Sequence, residues 1–466
     1  MNIAAGTTIP ANLVHHLLQT GGGGVSIVVG AGTSMEVPTS LKSASQYALK
    51  AHTELVAEGV ILEGACPRPD DLAQVADAVF IATGSQVDVV LRLPQNEFRT
   101  ARPNRGHLIA VACLLERAVS AVITLNYDMS FAAAITELGG GDRIGIIEGP
   151  EDGTLLRLTN LFFLHRSAHR PAEEWIMRSV SLEESWKGGW EELVTAQIGG
   201  SPVVLFAGLG TPVPVLVATV KRVRGAYPGG QDRIFLAGPG AAEDSDFAAA
   251  LNLAPANYIQ LKWSLLMYAA ASHLVRRMCG GLLDAARVIE HQRAYPSGPV
   301  AETCARLQQL DLVDLGKLRA AWLLSSEPYQ VEVPGQSPLL ADILLGIALI
   351  EGHVGLQARF APTGIVALAG DQRESPTVAF ASGSGHLNWL TVEAKLNNRL
   401  AQLPAGTPRP GYAVVSAVHG GRVQAASPPD IVRDAEEDSI IFERPLTMLD
   451  MEEVRANSEL AEKLVA

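Results

Sequence analysis

The run Val25-Ser26-Ile27-Val28-Val29 breaks abruptly into Gly30-Ala31-Gly32-Thr33-Ser34. A short, continuously apolar stretch without polar alternation fits a strand buried on both faces, as in a parallel sheet. A strand that delivers a glycine turn into a helix sets backbone N–H groups and a positive helix end against a bound phosphate. The third glycine of a GxGxxG fingerprint is absent, Met35 standing in its place, and no Gly-Lys-Ser/Thr follows as in a Walker loop. Taken alone, the turn fits either a phosphate cradle or a plain strand-to-helix connection. The glycines at 21–24 read as a lead-in to the strand.

Similar runs recur outward from it, at residues 121–125, 161–164, 202–207 and 233–237, with helical periodicity between them at 70–83 and 106–120. The alternation predicts an α/β, doubly wound parallel sheet of Rossmann-like type. The texture changes near Gly238-Pro239-Gly240. From 258 to about 324 the chain reads as mostly helical, with Tyr258, Leu261, Leu265 and Tyr268 on one stripe. Beyond 334 a helix at 339–350 is followed by strand-like runs at 364–368, 377–380 and 412–418, then a polar terminal helix at 452–465. The expected division is 1–245, 246–333 (mainly helical) and 334–466 (a smaller mixed α/β domain).

Length and composition agree with this. The 466 residues predict two or three domains, and 48% hydrophobic against 18% charged residues exclude disorder as the main state. The net charge of -13, with no basic block, argues against nucleic acid or an anionic membrane as a direct partner. Four cysteines without a CxxC pair exclude a zinc ribbon, and no metal is expected. The start of the chain lacks a signal-peptide layout and no uninterrupted apolar run is long enough to span a bilayer, so a soluble cytoplasmic protein is expected.

The ends of the apolar runs carry the chemistry. Residues 121–125 lead into Asn126-Tyr127-Asp128, residues 161–164 into His165-Arg166-Ser167, and residues 202–207 into Gly208-Leu209-Gly210-Thr211. In an open α/β sheet such tips lie at the carboxyl edge, where ligands bind. The local alternatives are that Asn126 and Asp128 are turn formers and His165 a core histidine, with His169 a second candidate. His15, His16 and His107 read as structural or solvent-facing, Trp175, Trp186 and Trp190 as packing residues, and 434–438 as an acidic loop.

The ordered set resembles the sirtuin-like family over about residues 25–240: GAGTS after the first strand, Thr124-Leu125-Asn126-Tyr127-Asp128, Leu164-His165, and the turn from Phe206 to Gly210. The Ile-Thr-x-Asn-Tyr-Asp form, with Arg102-Pro103-Asn104-Arg105-Gly106-His107-Leu108 ahead of it, looks most like the bacterial sirtuin-like NAD hydrolases of antiphage defence. The chain departs from the family at Arg166, where glycine is usual, and at Pro212-Val213-Pro214, where an acidic residue is usual. Leu125 stands where deacylases carry glutamine.

The resemblance implies cleavage of the nicotinamide–ribose bond of NAD, giving nicotinamide and ADP-ribose. Asn126 would orient the attacking water, Asp128 would accept from the nicotinamide carboxamide, and His165 would act as a base on the ribose hydroxyls. Gly30, Ala31, Gly32, Thr33 and Ser34 would wrap the pyrophosphate, and Gly208, Gly210 and Thr211 would flank the adenosine ribose. A catalytically silent NAD or ADP-ribose sensor in a defence complex is the alternative, and a protein deacylase is disfavoured by the missing four-cysteine module. Residues 246–466 carry no readable catalytic motif. They are expected to serve assembly or regulation, through a homo-oligomer or a protein partner.

Overall fold

The computed structural model describes residues 9–19, 23–293, 299–369, 376–383, 388–403, 405–416 and 446–464. Contacts divide the chain into two units, 1–274 and 275–466. In the first, strands β1 (Val25–Val29), β2 (Val119–Thr124), β3 (Ile144–Ile147), β4 (Thr159–Phe163), β5 (Val203–Ala207), β6 (Ile234–Gly238) and β7 (Tyr258–Gln260) form one sheet. Their order is β3-β4-β2-β1-β5-β6-β7, and every neighbouring pair is parallel. All residues of β1, β4 and β5 are buried, as unbroken apolar runs require. On one face Val28, Ile123, Phe162, Val204 and Phe206 pack against Trp190 and Val194 and against Leu216 and Val220 of helix Pro214–Gly225.

The strand order locates the site. From β1 the chain passes to β2, crosses to β3 at the edge, comes back to β4 between β3 and β2, and then places β5 on the other side of β1. The loops leaving the carboxyl ends of β1 and β5 therefore part company there, and a crevice opens at that switch point. A helical lobe stands beside it. Helices Ala44–Ala57, Leu72–Thr83, Val87–Arg92 and Gln95–Arg99 share a core that includes Tyr47, Val79, Phe98, Trp175 and Met177. Ser43 starts the first of these helices with a reciprocal capping box to Gln46, and Asp71 caps the second.

The doubly wound parallel sheet expected from the sequence is the one observed, with two strands more. β3 contains a glycine and is only four residues long, which weakens its apolar signal. β7 corrects the helical stripe drawn through Tyr258: Tyr258 to Gln260 pair with Leu236 to Gly238, and the helix begins only at Trp263. The break expected at 245 thus falls inside a continuous sheet, and the two-unit division lies within helix Trp263–Arg293.

The second unit holds a five-stranded sheet, β8 (Gln357–Phe360), β9 (Ile365–Ala369), β10 (Thr377–Ser382), β11 (Tyr412–Ser416) and β12 (Thr447–Asp450), in the order β12-β11-β10-β9-β8. β10, β11 and β12 are parallel, whereas β9 and β8 are antiparallel additions. Helix Ser337–Val354 is the centre of this unit, buried continuously from Leu340 to Glu351. The segment Pro334–Val354 is long and apolar enough to cross a membrane by length and composition, although Asp342 and Glu351 interrupt its apolar run. Its buried Asp342 pairs with Ser416, and its buried Glu351 pairs with Arg306 and accepts from the Ala358 amide at 2.5 Å. Both are the satisfied polar groups of a core helix. The terminal helix is split into Met451–Ala456 and Ser458–Lys463 by Asn457, which caps the latter. The acidic stretch at 434–438 lies outside the described residues.

Candidate functional site

Two glycine turns meet at the switch point. The amide of Gly30 donates to the Ala207 carbonyl at 3.0 Å and that of Gly32 to the Gly208 carbonyl at 2.9 Å, while Thr33 bonds the Gly30 carbonyl through both its amide and its hydroxyl. A Cβ on Gly32 would stand 2.8 Å from the Gly208 Cα. Gly208 itself has φ +68°, and a Cβ there would stand 2.6 Å from the Thr33 amide nitrogen. These glycines therefore allow backbone to lie on backbone, which is a different reason from the phosphate contact inferred from sequence. Gly208→Ala is expected to lower stability by at least about 2 kcal/mol, as left-handed strain adds to a backbone clash. Denaturant unfolding checks this, and an unchanged midpoint would contradict the interlock.

The tip of β2 is locked to the same turn. The Asn126 side-chain nitrogen donates to the Gly30 carbonyl at 3.2 Å, the Ser34 hydroxyl at 3.2 Å and the Thr33 hydroxyl at 3.4 Å. The Ser34 hydroxyl donates onward to Asp128 at 2.8 Å, and the other Asp128 oxygen accepts from the Ser130 amide at 3.0 Å. Asn104, singled out in sequence only as part of a helix start, ties in the far side. Its side chain donates to the Thr33 carbonyl at 2.7 Å and caps helix Arg105–Leu115 in a reciprocal box with His107. The His107 ring is fully buried against Phe131, its centroid 4.5 Å away. Burial lowers its pKa to about 4, against an opposing pull from Asp128.

At the tip of β4, His165 Nδ1 lies 2.6 Å from the Ile176 carbonyl, and the backbone answers with Ile176 N–H to the His165 carbonyl at 3.2 Å. His165 is half-buried as a residue, yet its Nε2 is closed off from solvent and has no hydrogen-bond partner. Burial lowers this imidazole to about 4, outweighing the bond to Ile176, so it is neutral at pH 7. Arg166 follows with φ +67°, the left-handed backbone that explains why glycine suits this position. Its guanidinium is turned to Glu151 and to the Glu148 carbonyl, and Arg166 is not among the residues that line the cavity.

One cavity of about 860 Å³ joins these tips. Gly30, Ala31, Gly32, Ser34, Asn126, Asp128, His165, Gly208, Gly210 and Thr211 all line it, with Leu125 and Pro212 to Pro214. Thr33 does not: it is fully buried, with its hydroxyl turned back to Gly30. His169 is exposed and outside the cavity, and Trp175, Trp186 and Trp190 are core residues. Further lining residues, unremarked in the sequence, come from the helical lobe and its neighbours: Lys42, Tyr47, Arg68, Gln74, Met177 and Arg178. Among the described residues no group of three or more His, Cys, Asp or Glu is placed to hold a metal ion, and all four cysteines are buried free thiols.

No protein-family model matches the chain, and no curated protein matches it. Among solved structures it is similar to a point mutant of a Sir2 homologue in complex with ADP-ribose, at 14% identity over 58% of this chain and 98% of that one, TM-score 0.35. It is likewise similar to a Sir2 homolog–NAD complex (14% identity, 58% and 96%, TM-score 0.32). A third is a Sir2 bound to acetylated peptide (11% identity, 55% and 93%, TM-score 0.29). The fold described above rests on the strand order and register themselves.

Proposed function

We propose that the chain is an NAD glycohydrolase, releasing nicotinamide and ADP-ribose, and that it serves as a regulated NAD-depleting effector of antiphage defence. The observation that carries the enzymatic reading is the convergence of three separate strand tips, 30–34, 126–128 and 165, on one cavity. Its volume of about 860 Å³ suits a ligand of dinucleotide size. Asn126, with its nitrogen engaged by the glycine turn, is left with Oδ1 to accept from an attacking water. Each Asp128 oxygen keeps a further lone pair for a carboxamide N–H. His165, neutral at pH 7, is the base. Nicotinamide departs as a neutral base, so no residue has to protonate it, unlike an ordinary glycosidic leaving group. The same reading gives residues 246–466 an assembly or regulatory role, by self-association or through a protein partner.

One observation favours a second reading, a binding subunit without turnover: Nε2 of His165 is closed off and Asp128 is 5% exposed. Incubating the purified chain with NAD and separating the products by chromatography decides between them. Equal amounts of nicotinamide and ADP-ribose are expected. Saturable NAD binding with no product would select the second reading, and the absence of both would end the two together.

A further inference from the structure

Tyr127 sits between Asn126 and Asp128, and neither its role nor that of Ile176 follows from the strand-tip pattern. Its hydroxyl donates to the Ile176 carbonyl at 2.8 Å and stands 3.3 Å from His165 Nδ1. The ring lies flat on Trp175, with centroids 4.5 Å apart and planes at 12°, and edge-on to the His165 ring. Trp175 is itself buried in the helical-lobe core and donates its indole N–H to the Arg170 carbonyl at 3.1 Å. The strap at 175–177 is thus pinned from both sides, and its one carbonyl at Ile176 serves two donors.

We propose that Tyr127 is a positioning residue for His165: together with the Ile176 carbonyl it holds the imidazole in the tautomer with its proton on Nδ1 and its lone pair on Nε2. The assignment follows from lone-pair accounting. A bare Nδ1 would face the carbonyl oxygen lone pairs across 2.6 Å, which is repulsive, so Nδ1 carries the hydrogen. The Tyr127 hydroxyl hydrogen goes to Ile176, so Oη turns a lone pair toward Nδ1 and reinforces the same choice. Burial raises the Tyr127 phenol, so it stays a donor at any working pH. The opposite tautomer would put a hydrogen on Nε2 and remove the lone pair with which His165 would take a proton from a sugar hydroxyl or water. This proposal rests on the reading of His165 as the base.

The test pairs Tyr127→Phe with Trp175→Phe in the full chain. Tyr127→Phe keeps the stacked ring and removes only the oxygen, whereas Trp175→Phe alters the stack and keeps the hydroxyl. Nitrogen-15 NMR of histidine-labelled protein, with His165 assigned by its loss in His165→Gln, should show the Nδ1–H tautomer in wild type and in Trp175→Phe. In Tyr127→Phe the Ile176 carbonyl loses the hydroxyl that holds it in place, so it can draw away from Nδ1 and a mixture of tautomers is expected. NAD turnover should fall about tenfold in kcat for Tyr127→Phe with KM within about twofold, since orientation rather than binding is lost. An Nε2–H tautomer in wild type would overturn the proposal. So would an unchanged spectrum or kcat in Tyr127→Phe, or the same spectral change in Trp175→Phe, which would reduce Tyr127 to packing. If wild type turns over no NAD, the hydrolase reading falls separately, and the nitrogen spectrum still decides the tautomer.

Discussion

Replacing Asn126 by alanine should reduce NAD hydrolysis by about two to three orders of magnitude, the range lost when one preorganised polar group is removed from a reacting centre. The fold should survive. The Gly30 carbonyl that accepts from Asn126 also accepts from the Thr33 amide at 3.0 Å and its hydroxyl at 2.8 Å, so truncation leaves no orphan acceptor. The loss in stability should then stay near about 1 kcal/mol, the net worth of an ordinary hydrogen bond. Asn126→Asp is the companion variant. It keeps the shape but turns an acceptor toward the Gly30 carbonyl, and should lose activity as fully while unfolding more readily. Initial rates of nicotinamide release and melting temperatures check both. Wild-type rates in Asn126→Ala would remove this residue from the chemistry.

The second large effect is a loss of stability in mild acid. His107 has a pKa of about 4 in the folded protein against 6.5 for the free side chain, because burial disfavours its charged form. Between those values the unfolded chain binds a proton that the folded chain refuses, so stability falls as pH drops from about 6.5 toward 4 and is flat above that window. For the fully buried His107 the full loss is about 3 kcal/mol. His165 is lowered in the same direction and adds to it. Denaturant midpoints measured across this window should show the decline, and His107→Gln should make it shallower while lowering stability at pH 7. An identical slope in that variant would mean that other groups set the acid limit.

Much of this architecture was legible from the chain because the physics is local. Buried parallel strands announce themselves as unbroken apolar runs, and the polar residues that end them fall at the sheet edge. The same logic failed where that signal is short, as at β3 and β7, or where a helical stripe and a strand share their first residues, as at Tyr258. In the site, the tips were legible but the partners were not. Asn126, Asp128 and His165 could be named from their position after a strand, while Ser34 on Asp128, Asn104 on Thr33 and Ile176 on His165 join residues 94, 71 and 11 positions apart. Only the capping pattern of Asn104 with His107 three residues on offered a local hint. A turn written as GAGTS does not say which of its side chains faces inward, and that of Thr33 does.

The interlock of the two glycine turns has a consequence for how such a protein can diversify. Where main chain rests on main chain at Gly32 and Gly208, no side chain can be added without breaking the joint, so that jaw of the crevice is closed to evolutionary tinkering. Gly210, whose missing Cβ would meet open space, is the one glycine of the second turn able to accept a side chain. Retuning of ligand choice, natural or engineered, is therefore channelled to Gly210 and to lining residues outside the interlocked turns, such as Lys42, Arg68 and Gln74.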